Sequence, residues 1–345
     1  MTTSYPYRLQ AAHSLDADTL RILLRPHGHG GMPIQAGQFF SLALPNGAAR
    51  SYSLACQPRG DGWLEAHIRL RRGGRASEWL RTEAKPGQTL TVSGPYGDCV
   101  WQPESSSIQR VLMLATGTGI APLKAMLEYA AALGCRTPIT LYWGGARPQD
   151  LYLADHFACL ALRWPTFRFV PVLSEAPAGW LSRQGWVQQA AAADHPDLRA
   201  ARVYACGAPA MVEQARELLV SQCGLPEDRF HADAFAPAQT AAPSSQDLSL
   251  RWRAASGDWQ QLPAASGSRL VDALAAAGLV LPVCGGQAAC GACRVEIDAA
   301  WSACLPAPER QEKRLLAVLD HHRPAHRLAC QIRLHPGLNG LTLFQ

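Results

Sequence analysis

"RVLMLATGTGIAPLKAML", residues 110–127, changes its pattern halfway along. The first seven residues are a nearly unbroken apolar run, as expected of a strand covered on both faces of a sheet. From Ala121 the apolar residues recur at three- and four-residue intervals through "APLKAMLEYAAAL", residues 121–133, which predicts a helix. Gly117, Thr118 and Gly119 lie between, and Pro122 falls in the first helical turn, where its missing N–H costs nothing. Strand, glycine turn and helix in succession open a parallel sheet wound with helices. Such a turn also lets backbone come close to a dinucleotide's phosphates. It is not the GxGxxG fingerprint, so a purely structural turn would read the same way.

The neighbouring segments extend the pattern. "PITLYWG" (138–144), "FRFVPVLS" (167–174) and "ARVYACG" (201–207) are further strand-like runs with room for helices between them. Residues 103–236 are therefore expected to form an α/β parallel-sheet domain. In "ACGAPAMV", residues 205–212, Cys206 ends a strand and Gly207, Pro209 and Met211 lead into a helix. Ligands of open α/β sheets sit beyond the carboxyl ends of the strands, which is where Cys206 falls.

Upstream, residues 1–102 contain six short strand-like runs separated by turn residues: "RLQAAHSL", "TLRILLRP", "QFFSLALP", "SYSLACQ", "WLEAHIRL" and "TLTVSGP". They predict an antiparallel β-barrel. Downstream, "APAQTAAPSSQD" lacks hydrophobic period, and residues 237–247 read as a linker. Residues 248–345 are expected to form a third unit, with a strand at "LSLRWRA", a helix at "SRLVDALAAAG" and then a cluster of cysteines.

Composition excludes several classes. A chain of 345 residues is too long for one ordinary core. The net charge of +5 rests on scattered arginines, since Lys85, Lys124 and Lys313 are the only lysines, so there is no basic stripe for nucleic acid. No segment approaches the ~18 uninterrupted apolar residues of a membrane span, and a soluble, cytoplasmic protein is expected. Eleven cysteines in such a compartment argue against a disulfide framework. Cys56, Cys99, Cys135, Cys159, Cys223 and Cys304 read as small apolar positions.

In "RSYSLA", residues 50–55, alternation along a strand turns Arg50 and Tyr52 to one face and Ser51 and Ser53 to the other. Polar residues alternating on a half-exposed strand would look similar. "GGRASEWL", residues 73–80, adds a second signal, because Gly74, Arg75, Ala76 and Ser77 form a glycine turn into a helix, whose first amides attract phosphate.

"VCGGQAACGACRVEI", residues 283–297, sets five residues between Cys284 and Cys290 and two between Cys290 and Cys293, and Cys330 follows after thirty-six more. A redox dithiol would use only Cys290 and Cys293. A zinc site could use all four, though usually as two short pairs. A [2Fe-2S] cluster takes three thiolates from one loop and a distant fourth. Gly285, Gly286 and Gly291 suit a loop that must wrap tightly and aim amides at sulfur.

Together these stretches resemble the ferredoxin-NADP reductase superfamily. Its flavin motif is matched by Arg50, Tyr52 and Ser53, and its pyrophosphate turn by Gly74, Arg75, Ala76 and Ser77. Its nicotinamide motifs are matched by Gly117, Thr118, Gly119 and Pro122 and by Cys206, Gly207, Pro209 and Met211. The resemblance implies that Arg50 pairs with the flavin phosphate, that Tyr52 packs on the isoalloxazine, and that the Ser53 hydroxyl reaches the ring nitrogen that accepts hydride. His67 and Arg69 would border the flavin's tail and Phe235 would cover the ring. Cys206 would shape the meeting of nicotinamide and flavin. FAD is the implied flavin, with FMN carried by a subgroup of the phthalate dioxygenase reductase type.

NADPH-using relatives place Ser-Arg where this chain has Ser174 and Glu175. An acid there repels a 2′-phosphate and accepts a bond from a free ribose hydroxyl, so NADH is expected over NADPH, although Arg147 argues the other way. The cysteine spacing resembles adrenodoxin-like [2Fe-2S] ferredoxins, which implies a β-grasp (α+β) fold. Residues 247–345 carry ten Arg or Lys against eight Asp or Glu, unlike the acidic free carriers of that type. His321, His322 and His326 read as solvated surface residues. The expected function is a reductase passing electrons from NADH to flavin to [2Fe-2S] to a terminal oxygenase or monooxygenase component. A stand-alone diaphorase or a redox sensor are the rival readings.

Overall fold

The computed structural model describes residues 3–28, 30–45, 49–103, 105–235, 248–254, 256–280, 284, 286, 288–319 and 322–344. The expected linker and His321 lie outside the described residues. The chain divides into two compact units, Met1–Phe235 and Ala236–Gln345.

The first unit begins with six strands: β1 (Ser4–Ser14), β2 (Thr19–Pro26), β3 (Phe39–Ala43), β4 (Ala49–Ser53), β5 (Leu64–Arg69) and β6 (Thr89–Tyr96). All the anticipated strands form. They pair antiparallel in the order β4-β3-β6-β1-β2-β5, and the Ala55 N–H donates to the Glu65 carbonyl at 2.8 Å, drawing the two edges together into a barrel. Alternation fills the interior with Tyr7, Leu9, Ile22, Leu24, Phe40, Leu42, Leu64, Ala66, Ile68, Leu90 and Val92. Helix α1 (Arg75–Thr82), between β5 and β6, adds Trp79 and Leu80 to the same core.

The parallel sheet follows with β7 (Arg110–Thr116), α2 (Ile120–Ala132), β8 (Ile139–Gly145), α3 (Ala154–Arg163), β9 (Phe167–Leu173), β10 (Arg183–Gln184), α4 (Val187–Asp194), β11 (Ala201–Gly207), α5 (Pro209–Ser221) and β12 (Phe230–Ala234). Its order is β10-β9-β8-β7-β11-β12. The chain steps outward from β7 to β10 and then returns to β11 on the opposite side of β7. The strand order thus reverses between β7 and β11, where an open sheet leaves a crevice at its carboxyl edge.

Barrel and sheet share a polar seam. On β5 the residues alternating with the barrel core are Glu65 and His67, and both are buried by packing against the α/β layer. Lys124, one turn into α2, lies between the two layers. Its Nζ donates to the Ala55 carbonyl at 2.7 Å and pairs with Glu65 Oε1 at 3.2 Å and Glu128 Oε1 at 2.8 Å. Glu65 also accepts from Arg21 Nη2 at 2.7 Å and sits 3.0 Å from His67 Nε2, whose other ring nitrogen is 3.2 Å from the Tyr152 hydroxyl. A buried charge is tolerated only when paired and hydrogen-bonded, and each member of this group has partners from both layers or from its own strand.

The second unit contains β13 (Leu248–Arg253), β14 (Trp259–Ala264), α6 (Leu270–Ala276), β15 (Arg294–Ile297), α7 (Arg310–Val318), β16 (His326–Leu328) and β17 (Thr342–Phe344), in the sheet order β14-β13-β17-β15-β16. β13 and β17 run parallel and the other pairs antiparallel. Helix α6 contributes Leu270 and Leu274 to the core. Helix α7 is fastened through buried Glu312, which takes Arg327 Nε at 2.8 Å and Nη2 at 3.1 Å and the Leu328 N–H at 2.8 Å. This is the β-grasp arrangement.

Two outcomes follow from the seam. Lys124→Met strips the counter-charge from buried Glu65 and should cost ~3–5 kcal/mol, read as a fall in the urea midpoint of the first unit, with part recovered in Lys124→Met/Glu65→Gln. Burial pushes the Glu65 carboxyl up, but hydrogen bonds from His67 and Arg21 and the Lys124 charge outweigh it and hold the group at about 2, below its ordinary 4.5. Its contribution is therefore complete above pH 4.5 and is lost as pH falls toward 2. Acid denaturation should show Glu65→Gln flattening the stability slope across that window.

Candidate functional site

The residues expected to face a flavin lie along β4 and at the start of α1. Strand β4 pairs with β3 through Leu42 with Arg50 and Phe39 with Ser53. Arg50 is exposed, its Nη1 resting 2.7 Å from the Ala49 carbonyl, while Ser51 and Tyr52 are half-buried and Ser53 is buried. Burial pushes the Tyr52 phenol upward, so the ring stays neutral and can stack on a planar ligand.

Gly73 has φ +71, a conformation open to glycine, and Gly74 caps α1 without any side-chain hydrogen bond. The first amides of α1 thus have no side-chain cap, and exposed Arg71, Arg72 and Arg75 surround them. Uncapped amides beside arginines suit a pyrophosphate. Ala76 and Ser77 are buried, and the Ser77 hydroxyl accepts the Arg71 N–H at 2.9 Å. Ser77 closes the turn from inside, so the phosphate-facing groups are the backbone and the arginines.

His67 and Arg69 depart from expectation. The His67 side chain is 1 % exposed and held between Glu65 and Tyr152, and Arg69 reaches Asp18 at 3.6 Å and Asp16 at 4.0 Å. Strand alternation turns both away from the barrel interior, and the packing of α2 and the β1–β2 turn takes up their side chains.

The nicotinamide residues meet at the crevice between β7 and β11. Gly117 has φ +54 and Gly207 φ +137. A Cβ on Gly119 would collide with the Cys206 carbonyl, and one on Gly207 with Thr116. The Thr116 hydroxyl also accepts the Ala208 N–H at 3.0 Å. The turns after β7 and β11 are therefore interlocked, backbone on backbone, and only glycine permits that approach. Thr118 is half-buried beside them, and Pro122 is buried in the first turn of α2. Pro209 is exposed at the start of α5, whereas Met211 is buried and belongs to the helix core.

Cys206 is fully buried at the end of β11. Phe235 is brought beside it by a 2.7 Å hydrogen bond from its N–H to the Gly207 carbonyl. Cys99, which the sequence marked only as an apolar position, neighbours Cys206, and the Cys206 thiol with burial pushes the Cys99 thiol well above its ordinary value, so it remains protonated.

At the outer end of the crevice the loops after β8 and β9 are joined. The Ser174 N–H donates to Gly145 and the Glu175 N–H to Ala146, at 3.1 and 2.9 Å. Arg147 Nε then lies 3.1 Å from Glu175 Oε2, so the basic residue is already paired with the acid.

In the second unit Cys284, Cys293 and Cys330 are buried and Cys290 half-buried. The neighbouring Cys284 thiol and burial push the Cys290 thiol upward, and the neighbouring Cys284 and Cys293 thiols with burial do the same to Cys330. Crowded thiols of this kind become thiolates only beside positive charge, which a metal supplies. Among the described residues no three or more His, Cys, Asp or Glu side chains form a group able to hold a single metal ion. Three cysteines on one loop with a distant fourth suit a binuclear centre, in which no one iron takes all four. Gly286 and Gly291 have φ +94 and +67, and Gly291 leaves room for Leu319 against the loop. His322 is exposed and His326 half-buried, its ring 5.9 Å from that of His322.

Comparison with known proteins agrees with this division. Residues 6–101 match the oxidoreductase FAD-binding domain, residues 113–217 the oxidoreductase NAD-binding domain, and residues 254–335 the 2Fe-2S iron-sulfur cluster binding domain. The chain is 34 % identical over 236 residues to the CDP-6-deoxy-L-threo-D-glycero-4-hexulose-3-dehydrase reductase of Yersinia pestis, covering 68 % of this chain and 70 % of that one. It is 35 % identical over 201 residues to the ferredoxin–NAD(P)+ reductase component of the naphthalene 1,2-dioxygenase/salicylate 5-hydroxylase systems of Ralstonia sp., covering 58 % of this chain and 60 % of that one. Phthalate dioxygenase reductase has the same fold across 99 % of this chain and 98 % of its own, with a TM-score of 0.66 at 18 % identity. The chain belongs to the ferredoxin-NADP reductase superfamily, as an FAD- and NAD-dependent oxidoreductase that carries a [2Fe-2S] ferredoxin domain after its flavoprotein domains.

Proposed function

We propose that the protein takes electrons from NADH in preference to NADPH and delivers them, through its own ferredoxin domain, to the terminal oxygenase component of a multicomponent system. One observation carries the reading: a single chain holds a crevice built for a hydride donor and a four-thiol nest suited to a one-electron carrier. A bound flavin accepts electrons as a hydride and gives them up singly, which joins nicotinamide chemistry to an iron–sulfur centre.

The chain's own residues bind and orient. Arg50, Arg75 and the first amides of α1 would hold the flavin phosphates, Tyr52 would pack on the ring, and the Ser53 hydroxyl would serve the nitrogen that accepts hydride. Gly117, Thr118, Gly119, Gly207 and Pro209 form the floor beneath the nicotinamide end. Cys206, beside Cys99, and Phe235 limit how closely the two rings approach and keep water from the transfer. Cys284, Cys290, Cys293 and Cys330 supply the thiolates. Among the described residues no helix is long and apolar enough to cross a membrane.

Preference for NADH rests on the Arg147–Glu175 pair. Glu175 offers a carboxylate to a ribose diol and occupies the one basic group in that loop that could take a 2′-phosphate. Glu175→Ser frees Arg147, and steady-state kinetics should show kcat/KM for NADPH rising about tenfold while that for NADH falls, the scale of one charge-assisted hydrogen bond. A wild-type enzyme as efficient with NADPH as with NADH would contradict the reading.

Anaerobic NADH titration, followed by absorbance and spin resonance, should bleach the flavin and then reveal the reduced-cluster signal. With an oxygenase partner present in air, NADH oxidation should match product formed. Rapid turnover with a quinone and no coupling to any protein would favour a diaphorase instead. The Yersinia relative, named for a dehydrase, makes that class of acceptor the second to assay.

A further inference from the structure

We propose that Gln331 tunes the iron–sulfur centre, donating one side-chain amide proton to the sulfur of Cys330 and the other to the Gly286 carbonyl, and so raising the cluster's reduction potential. The proposal rests on the reading of the four cysteines as [2Fe-2S] ligands.

The geometry is local and well anchored. Cys330 sits in the turn Ala329–Gln331, which the Ala329 N–H fixes to the Cys293 carbonyl at 2.9 Å. The next residue, Ile332, accepts the Leu270 N–H at 2.9 Å, so both sides of the turn are tied to the core. From there Gln331 Nε2 reaches the Gly286 carbonyl at 2.8 Å and Cys330 Sγ at 3.2 Å. A carbonyl can only accept, which assigns the nitrogen end of the amide to this position and leaves its second proton for the sulfur.

Gly286 is held from another side as well. Its φ is +94, and the place a Cβ would take is filled by the Arg269 guanidinium. One side chain therefore clamps the loop that carries three ligands to the segment that carries the fourth, and does so through a bond to sulfur. Gln331 is half-buried, which limits competition from water.

The electrostatic consequence has a definite sign. An added electron increases the negative charge on the ligand sulfurs, so an N–H aimed at one of them stabilises the reduced form more than the oxidised.

The test uses the full chain with its cofactors as wild type, Gln331→Leu and Gln331→Glu, with iron and acid-labile sulfide measured in each. Spin resonance reads the cluster at a series of poised potentials. At the poise that half-reduces the wild type, the ratio of reduced to oxidised cluster should fall about tenfold in Gln331→Leu. It should fall further in Gln331→Glu, which keeps the volume and replaces donor by carboxylate. The flavin midpoint should be unchanged in all three. If the leucine variant sheds its cluster, the near-isosteric glutamate variant decides. A ratio equal to wild type in a cluster-loaded Gln331→Glu overturns the proposal. Absence of iron and sulfide from the wild type would overturn the cluster reading beneath it.

Discussion

The first unit depends on one ammonium group. Lys124 Nζ is surrounded by a barrel carbonyl, a barrel carboxylate and a carboxylate of its own helix, with little water to share the charge. The contact falls two residues after the end of β4 and two residues after Pro122 in the first turn of α2. It therefore fixes the helix that follows the glycine turn to the strand that carries Arg50, Tyr52 and Ser53. Hydride transfer needs the two rings at contact distance, and a misplacement of ~1 Å can cost two orders of magnitude in rate. A hydrophobic seam would hold the layers together but leave them free to slide. A salt-bridged network with directional partners sets their register.

Much of this arrangement was legible in the sequence, for reasons that differ between the units. The six barrel strands were readable because a half-buried strand must alternate, and β7 because a strand covered on both faces must not. The iron–sulfur domain was readable because cluster chemistry dictates donor type and spacing. The seam was not. Glu65 and His67 alternate correctly with Leu64, Ala66 and Ile68 and so read as outward-facing, and nothing local shows that α2 will cover them. The resemblance implied a flavin role for His67, and the contacts that bury it against Glu65 and Tyr152 come from packing alone. Lys124 is a charged residue within an apolar helical run, and only the packing of α2 on the barrel buries it.

Pairs distant along the chain were equally hidden. Cys99 and Cys206 are brought together by the crossing from barrel to sheet and the return of β11 beside β7, and each alone reads as a small buried residue. Gln331 adjoins a ligand in sequence, but its bond to Gly286 depends on the ligand loop folding back. The short strands β15, β16 and β17 carry too few residues for a clear period and are defined by their pairing.

The interlocked glycines at Gly119 and Gly207 have a consequence for change over time. Because each turn fills the space in which the other would grow a side chain, neither can vary without the other, and the nicotinamide end of the crevice is closed to gradual alteration. The loops that carry Arg147 and Glu175 are joined only through their backbones and one exposed ion pair. Coenzyme choice can therefore drift at the rim while the hydride-transferring centre stays constant, and descendants of such a fold would differ in the coenzyme they prefer long before they differ in how they use it.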